Sequence, residues 1–175
     1  MKCFRRLFTL RPYDIRGLKQ CTYIYGSGSA EVDIWEGVHY LVNAFEWHIK
    51  TFADPDDKGE DNQMDREYLQ LLVDLLIFAR DYDLAATVLK RGERWLQKRS
   101  RQIFWDKLED DSEYDPAGAE RAEENNVTED REGYELEVSM RARLAVIRLK
   151  LGHDEDANVS FHPSGNIARD SDRRR

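Results

Sequence analysis

Cysteine is nearly absent from this sequence. Its 175 residues include two cysteines, Cys3 and Cys21, and neither belongs to a Cys-x-x-Cys pair or to a cysteine and histidine pattern with metal-binding spacing. This usage excludes a disulfide framework and gives no sign of a zinc site. We therefore expect both cysteines to be small buried hydrophobic residues.

Long apolar runs are also lacking. No stretch approaches the ~18 apolar residues that a membrane span needs. The opening residues, MKCFRRLFTLRPYD, have neither the apolar core nor the small-residue cleavage site of a signal peptide. These absences predict an intracellular protein with no membrane association.

The motifs of common enzyme families do not occur. There is no G-x-S-x-G, no H-E-x-x-H and no glycine-rich loop of the kind that cradles phosphate, and the four histidines form no pair at i and i+4. The sequence therefore predicts a protein that is not an enzyme, with no catalytic, cofactor-binding or metal-binding residues and no small-molecule substrate.

Negative charge is abundant and concentrated in one segment. The chain has a net charge of -8, whereas residues 106–137 alone hold fourteen carboxylates and three basic residues, a net charge of -11. Pro116, Gly118 and Gly133 interrupt this segment, which is typical of a solvated loop. Three interpretations remain open: a passive linker, an acidic contact surface, or an internal counter-charge for the adjacent basic helix.

The rest of the sequence has helical periodicity and almost no strand pattern. Apolar residues recur three and four positions apart, which predicts helices at about 14–25, 35–52, 66–80, 82–102 and 134–151, with a loop at 109–132. Asp65 is the expected N-cap of the third of these helices. We expect antiparallel hairpins stacked side by side, without a sheet.

Small and aromatic residues favour a repeat array over a plain helical bundle. Tetratricopeptide repeats are about 34 residues long, with an Ala-x3-Phe pair in the second helix and a closing proline. Ala157 and Phe161 have this spacing, Ala85 and Leu89 resemble it, and Phe4 with Pro12 resembles the end of a second helix.

The predicted fold is therefore all-α, with tetratricopeptide-like helical hairpins stacked as a short superhelical array around an acidic loop insert. The expected divisions are hairpins at 1–108, the flexible acidic insert at 109–133, a first helix and the start of a truncated repeat at 134–161, and a disordered tail at 162–175. Because the array starts and stops inside second helices, the pattern predicts a segment of a longer protein.

A specific family resemblance lies in residues 90–115, KRGERWLQKRSRQIFWDKLEDDSEYD. This run resembles the large tetratricopeptide-repeat subunit of RNA polymerase III transcription factor IIIC, the fungal tau complex. The positions that match the family pattern are Arg91, Gly92, Arg94, Trp95, Leu96, Gln97 and Arg99, followed by Phe104-Trp105-Asp106 and an acidic stretch. Lys98 stands where that family carries glycine. The resemblance extends more loosely over residues 1–161.

The resemblance implies a nuclear scaffold that helps assemble the RNA polymerase III initiation machinery at transfer-RNA and 5S genes. It also implies other transcription factor IIIC subunits and transcription factor IIIB components as partners. The alternative is a general tetratricopeptide-type adaptor that binds a peptide or protein in another assembly. Within Asp65–Ala79, the predicted inner helix, Arg66 is the one basic residue, which disfavours a clamp for a terminal carboxylate.

The basic residues near Trp95 are the candidates for partner binding. The set comprises Arg91, Arg94, Trp95, Lys98, Arg99, Arg101 and Trp105. Direct DNA binding is disfavoured by the acidic segment that follows and by the negative net charge. The alternative is structural: Arg91 and Arg94 pair with the carboxylates at 109–115 or pack their side chains beside the tryptophans.

Trp95 has two competing interpretations. We expect a buried packing residue that covers either the helix beginning at Tyr134 or the Phe104-Trp105 pair, with its indole N–H donating to the acidic stretch. In that interpretation Arg91 and Arg99 carry positive charge toward Asp110 and Asp111. The alternative is an exposed anchor for a partner.

Overall fold

The computed structural model describes residues 2–27, 33–52, 63–103, 136–154 and 157, and within these ranges the chain is helical with no strand. Six α-helices have described bounds: α1 Lys2–Leu10, α2 Ile15–Tyr25, α3 Ile34–Thr51, α4 Arg66–Phe78, α5 Tyr82–Leu96 and α6 Val138–Leu151. The all-α prediction is confirmed. The acidic insert at 109–133, the tail at 162–175 and Phe161 lie outside the described residues.

Three of the helices begin at an aspartate that caps the first turn. The Asp33 carboxylate accepts from the Trp35 N–H at 3.0 Å, Asp65 accepts from Tyr68 at 2.8 Å, and Asp81 accepts from Leu84 at 3.2 Å. Each cap satisfies an N–H that has no partner within the helix. The predicted cap at Asp65 is therefore confirmed.

Three helices end at a residue in the left-handed conformation. Arg80, Lys98 and Gly152 have φ values of 63°, 61° and 79°. In each case two backbone hydrogen bonds reach back from the turn to the last turn of the helix. At the end of α4 they run from Arg80 N–H to Ile77 O and from Asp81 N–H to Leu76 O, and at the end of α5 from Lys98 N–H to Trp95 O and from Arg99 N–H to Arg94 O. At the end of α6 they run from Gly152 N–H to Leu149 O and from His153 N–H to Arg148 O. This pattern is the Schellman motif.

Two predicted boundaries were wrong. The helix expected at 82–102 ends at Leu96, because the left-handed backbone at Lys98 turns the chain out of the helix. The helix expected from Tyr134 has Val138 as its first described helical residue. The segment before Pro12, which was expected to resemble the end of a second helix, forms α1.

Consecutive helices form antiparallel hairpins. In the α2–α3 hairpin, Tyr13 before α2 stacks on Trp47 near the end of α3. In the α4–α5 hairpin, Arg66 at the start of α4 pairs with Glu93 near the end of α5. Contacts therefore run from the start of one helix to the end of the next in both hairpins.

Alternate helices are parallel and lie in two layers. From α4 to α6, Arg66 pairs with Glu137, Gln70 donates to Ser139, and Arg143 pairs with Asp74, so the contacts progress in the same direction along both helices. From α3 to α5, Glu46 pairs with Arg91, and the Phe52 carbonyl beyond α3 accepts from Trp95. Helix α2 joins the first layer through contacts with α4, including the pairing of Lys19 with Asp65 and Glu67.

The core lies between the two layers. Tyr68 is fully buried, and its hydroxyl donates to the Leu41 carbonyl of α3. Cys21 is buried as expected, and burial raises the pKa of its thiol to about 12, which keeps it protonated at neutral pH. Cys3 was expected to be buried but is exposed on α1. Among the described helices, none combines the length and apolar character that crossing a membrane requires.

A glycine on α5 sets the distance between α4 and α5. A Cβ placed on Gly92 would lie 2.5 Å from Cδ1 of Leu69, a side chain that is itself fully buried. The missing side chain at Gly92 therefore permits the close approach of α5 to α4. Any larger residue there would displace Leu69 or separate the helices.

We predict that Gly92→Ala lowers the free energy of unfolding by about 1–3 kcal/mol, the usual cost of overpacking a core. At a helical site without such crowding, Gly→Ala would raise the free energy of unfolding, since alanine favours helix by about 1 kcal/mol over glycine. Urea denaturation of Gly92→Ala in the native and Leu69→Ala backgrounds measures the difference. The penalty should shrink or reverse when Leu69 is truncated; an equal penalty in both backgrounds would contradict the proposed contact.

Candidate interaction surface

Trp95 is the largest fully buried side chain of the described core. Its indole N–H donates to the backbone carbonyl of Phe52 at 2.8 Å, so the acceptor belongs to the end of α3. The expected acceptor in the acidic stretch was therefore wrong. Buried in this way, Trp95 ties the last turn of α5 to the preceding hairpin and presents no side-chain surface to a partner.

Arg91 pairs with a carboxylate of α3. Its guanidinium donates two hydrogen bonds to Glu46, at 2.5 and 3.2 Å, and lies 5.6 Å from the centre of the Phe45 ring. The hydrogen bonds from Arg91 hold the pKa of the Glu46 carboxyl below its usual value. Asp110 and Asp111, toward which its charge was expected to point, lie outside the described residues, and the described contact of Arg91 is with Glu46.

Arg94 and Arg99 are turned inward as well. Their exposed fractions are 4% and 5%. Arg94 reaches the Gln102 carbonyl at 3.4 Å, and Arg99 donates to the side-chain oxygens of Gln102 at 2.8 Å and Gln97 at 2.9 Å. These bonds fold residues 97–103 back over the end of α5, so neither arginine offers an open contact surface.

The exposed members of the predicted set are Lys98 and Arg101. Ile103 lies beside them in the chain with 67% of its surface exposed, although no sequence pattern selects it. Trp105 lies outside the described residues. The candidate surface that remains is the segment after α5, defined by Lys98, Arg101 and Ile103, and here called the α5 exit surface.

In the layer formed by α2, α4 and α6, Arg66 of α4 forms ion pairs with two glutamates. It lies 3.3 Å from Glu93 and 2.8 Å from Glu137. Glu93 is fully buried, and this burial raises the pKa of its carboxyl while the charge of Arg66 acts in the opposite direction. Arg66 is therefore committed to holding α5 and α6 beside α4.

Titratable groups do not assemble into a metal site in the part of the chain that the structure describes. No group of three or more histidine, cysteine, aspartate or glutamate side chains there is placed to hold an ion. Several described carboxylates that contact a neighbouring helix are instead paired with arginine or lysine.

Comparison with known proteins gives two relatives. The chain is 29% identical over 171 residues to transcription factor tau subunit sfc4 of Schizosaccharomyces pombe, an alignment that covers 95% of the chain and 16% of that protein. It is 33% identical over 63 residues to the transcription factor tau 131 kDa subunit of Saccharomyces cerevisiae, covering 35% of the chain and 6% of that protein. No protein-family model matches the sequence.

The chain is thus a distant relative of two proteins named as transcription factor tau subunits, and it spans a small part of their length. The first alignment includes nearly all of the described helices. The likeness is therefore a property of the helical framework as a whole and is not confined to the run around Trp95.

Position 98, where this chain has lysine and the resembled family has glycine, lies in a left-handed turn. Glycine adopts φ near 60° without steric cost, whereas a residue with a Cβ pays roughly 1–2 kcal/mol there. Lys98 has a φ of 61°. The glycine of the resembled family is the residue that this turn favours, and lysine is accommodated at a cost.

We predict that Lys98→Gly raises the free energy of unfolding by about 0.5–1 kcal/mol. Glycine relieves the strain of the left-handed backbone, and part of this gain is offset because glycine has more conformational freedom in the unfolded state. Thermal or urea unfolding gives the measurement. Lys98→Ala is the matched control, since it removes the same charge and keeps the Cβ. Equal stability of the two variants would show that the left-handed backbone at Lys98 carries no such cost.

Proposed function

We propose that this chain is a non-enzymatic interaction scaffold of transcription factor tau, the transcription factor IIIC of fungi. In this role it helps assemble the RNA polymerase III initiation machinery at transfer-RNA and 5S genes, in the nucleus. The observation that carries the proposal is the likeness of 95% of the chain to a tau subunit. Other subunits of that factor and components of transcription factor IIIB are the proposed partners.

The arrangement of the helices supports a tetratricopeptide-type stack. Antiparallel hairpins succeed one another, α4 and α6 are parallel in one layer, and α3 and α5 are parallel in the other. Each hairpin contacts its neighbour, as expected of a quasi-one-dimensional array. Such arrays present extended surfaces to other proteins, which suits a subunit of a large assembly.

Protein contact is favoured over direct binding of DNA. Of the basic residues grouped near Trp95, Arg94 and Arg99 are buried and Arg91 is paired with Glu46. Lys98 and Arg101 are the two described members left exposed. Two surface cations on a chain with a net charge of -8 provide little attraction for a phosphate backbone.

The contact surface proposed for tau partners is the α5 exit surface. Lys98, Arg101 and Ile103 combine an exposed aliphatic side chain with two cations at the end of a buried helix. An apolar contact rimmed by charge is a common form of protein interface. The rigid anchoring of Trp95 beneath this segment would hold it in a fixed orientation.

We predict that affinity purification of the tagged chain from cells that produce it recovers other tau subunits, identified by mass spectrometry. The variant Lys98→Glu/Arg101→Glu should lose at least one of them while its melting temperature stays within about 2 °C, because both side chains are exposed. Arg16→Glu/Lys150→Glu is the matched control, with the same charge change at exposed sites on α2 and α6. Recovery of heat-shock chaperones without tau subunits would instead support the general adaptor.

A further inference from the structure

A groove lies between the α1–α2 connection and the outer face of α3. Its volume is about 560 Å³, within the range of sites that hold small ligands or a few residues of a peptide. Pro12 and Tyr13 form one side, and Tyr40, Asn43, Trp47 and Lys50 of α3 form the other. None of these residues belongs to the α5 exit surface.

The aromatic side chains of the groove are held in place by their neighbours. Tyr13 stacks on Trp47 with ring centres 4.5 Å apart and planes within 9°, and the edge of Trp47 meets the Phe52 ring. Tyr40 packs on Phe8 of α1 at 4.9 Å. Rings fixed in this way can contact a ligand with little loss of side-chain freedom.

The accessible charge of the groove is positive. Glu46, its one lining carboxylate, is already neutralised by two hydrogen bonds from Arg91. Lys50 lies 3.7 Å from Glu46, and its side chain is 75% exposed. Arg11, next to Pro12 in the chain, is exposed as well. The groove is therefore complementary to a carboxylate, although the whole chain is acidic.

The polar groups of the groove also suit a polypeptide backbone. Asn43 is exposed on α3 and provides both an amide donor and a carbonyl acceptor. A nucleic-acid base would need an open aromatic face for stacking. In this groove Tyr13 and Trp47 each cover one face of the other ring, and Tyr40 lies against Phe8, which leaves less aromatic surface for stacking.

We propose that the groove binds an extended peptide segment of a partner protein in which a proline or aromatic residue lies next to an aspartate or glutamate. The apolar residue contacts Tyr40 and the edges of the Tyr13 and Trp47 rings. Its acidic neighbour pairs with Lys50, and Asn43 hydrogen-bonds the peptide backbone. The groove would supply a second partner contact for the scaffold, and this proposal rests on the scaffold role proposed above.

Arrays of immobilised octapeptides test this proposal with the full chain. One set combines proline or tyrosine with glutamate, and two matched sets carry glutamine or lysine in place of glutamate. The chain should retain the glutamate set selectively. Lys50→Glu should weaken that binding about three- to tenfold, through loss of one ion pair and added repulsion, whereas Lys150→Glu on α6 should leave it unchanged.

A second variant tests the location of the site. Asn43→Trp places a large side chain in the groove from an exposed position, so it should abolish peptide binding while thermal unfolding stays unchanged. The proposal is overturned if the chain retains none of the sets, if it does not distinguish them, or if oligothymidylate displaces the peptides. Binding that survives both Asn43→Trp and Lys50→Glu would overturn it as well.

The scaffold role is tested independently in the same variants. If tau subunits co-purify with the unaltered chain but no peptide set is retained, the groove proposal fails and the scaffold proposal stands. If neither tau subunits nor peptides are recovered, both fail. Loss of one tau subunit from Asn43→Trp alone would assign that partner to the groove.

Discussion

The position of α5 rests on the buried contact between Trp95 and the Phe52 carbonyl. This hydrogen bond, at 2.8 Å inside the core, joins the last turn of one hairpin to the end of the hairpin before it. It requires α5 to approach α4 closely, which the missing side chain at Gly92 permits against Leu69. It also requires the helix to end soon after Trp95, which the left-handed turn at Lys98 achieves. The paired layers and the α5 exit surface follow from these three local conditions.

This arrangement gives a structural meaning to the run that carries the family resemblance. Gly92 permits close packing, Trp95 fills the core, and position 98 is the left-handed residue of the helix end. Arg91 reaches across to Glu46, so it contributes to the contact between hairpins. A run rich in arginine and tryptophan suggests a binding surface when seen as sequence alone. In this structure most residues of the run lie between the hairpins, where they are buried or paired. The exposed surface begins at the end of the run.

Local signals in the sequence were sufficient to place most of the described helices and the start of α4. Apolar periodicity and the capping aspartate at Asp65 needed only residues within a few positions of one another. Local signals could not locate the end of α5, because residues 97–102 contain neither glycine nor proline. The glycine that the resembled family has at position 98 was the one signal that marked this helix end. The partners of Trp95 and Arg91 were missed for another reason. Phe52 and Glu46 are more than forty residues away in the chain, a backbone carbonyl leaves no sequence signature, and the acidic stretch nearby offered a more obvious acceptor.

The central claim is that Trp95 stabilises the fold and is not itself the partner contact. Chemical denaturation of Trp95→Ala tests it most directly, with Trp35→Ala as the matched control, because Trp35 is 50% exposed on α3. Loss of a fully buried tryptophan should lower the free energy of unfolding by about 3–5 kcal/mol, and the control should change it by less than about 1 kcal/mol. Unchanged stability of Trp95→Ala, together with loss of tau subunits in affinity purification, would contradict the account and make Trp95 a partner anchor.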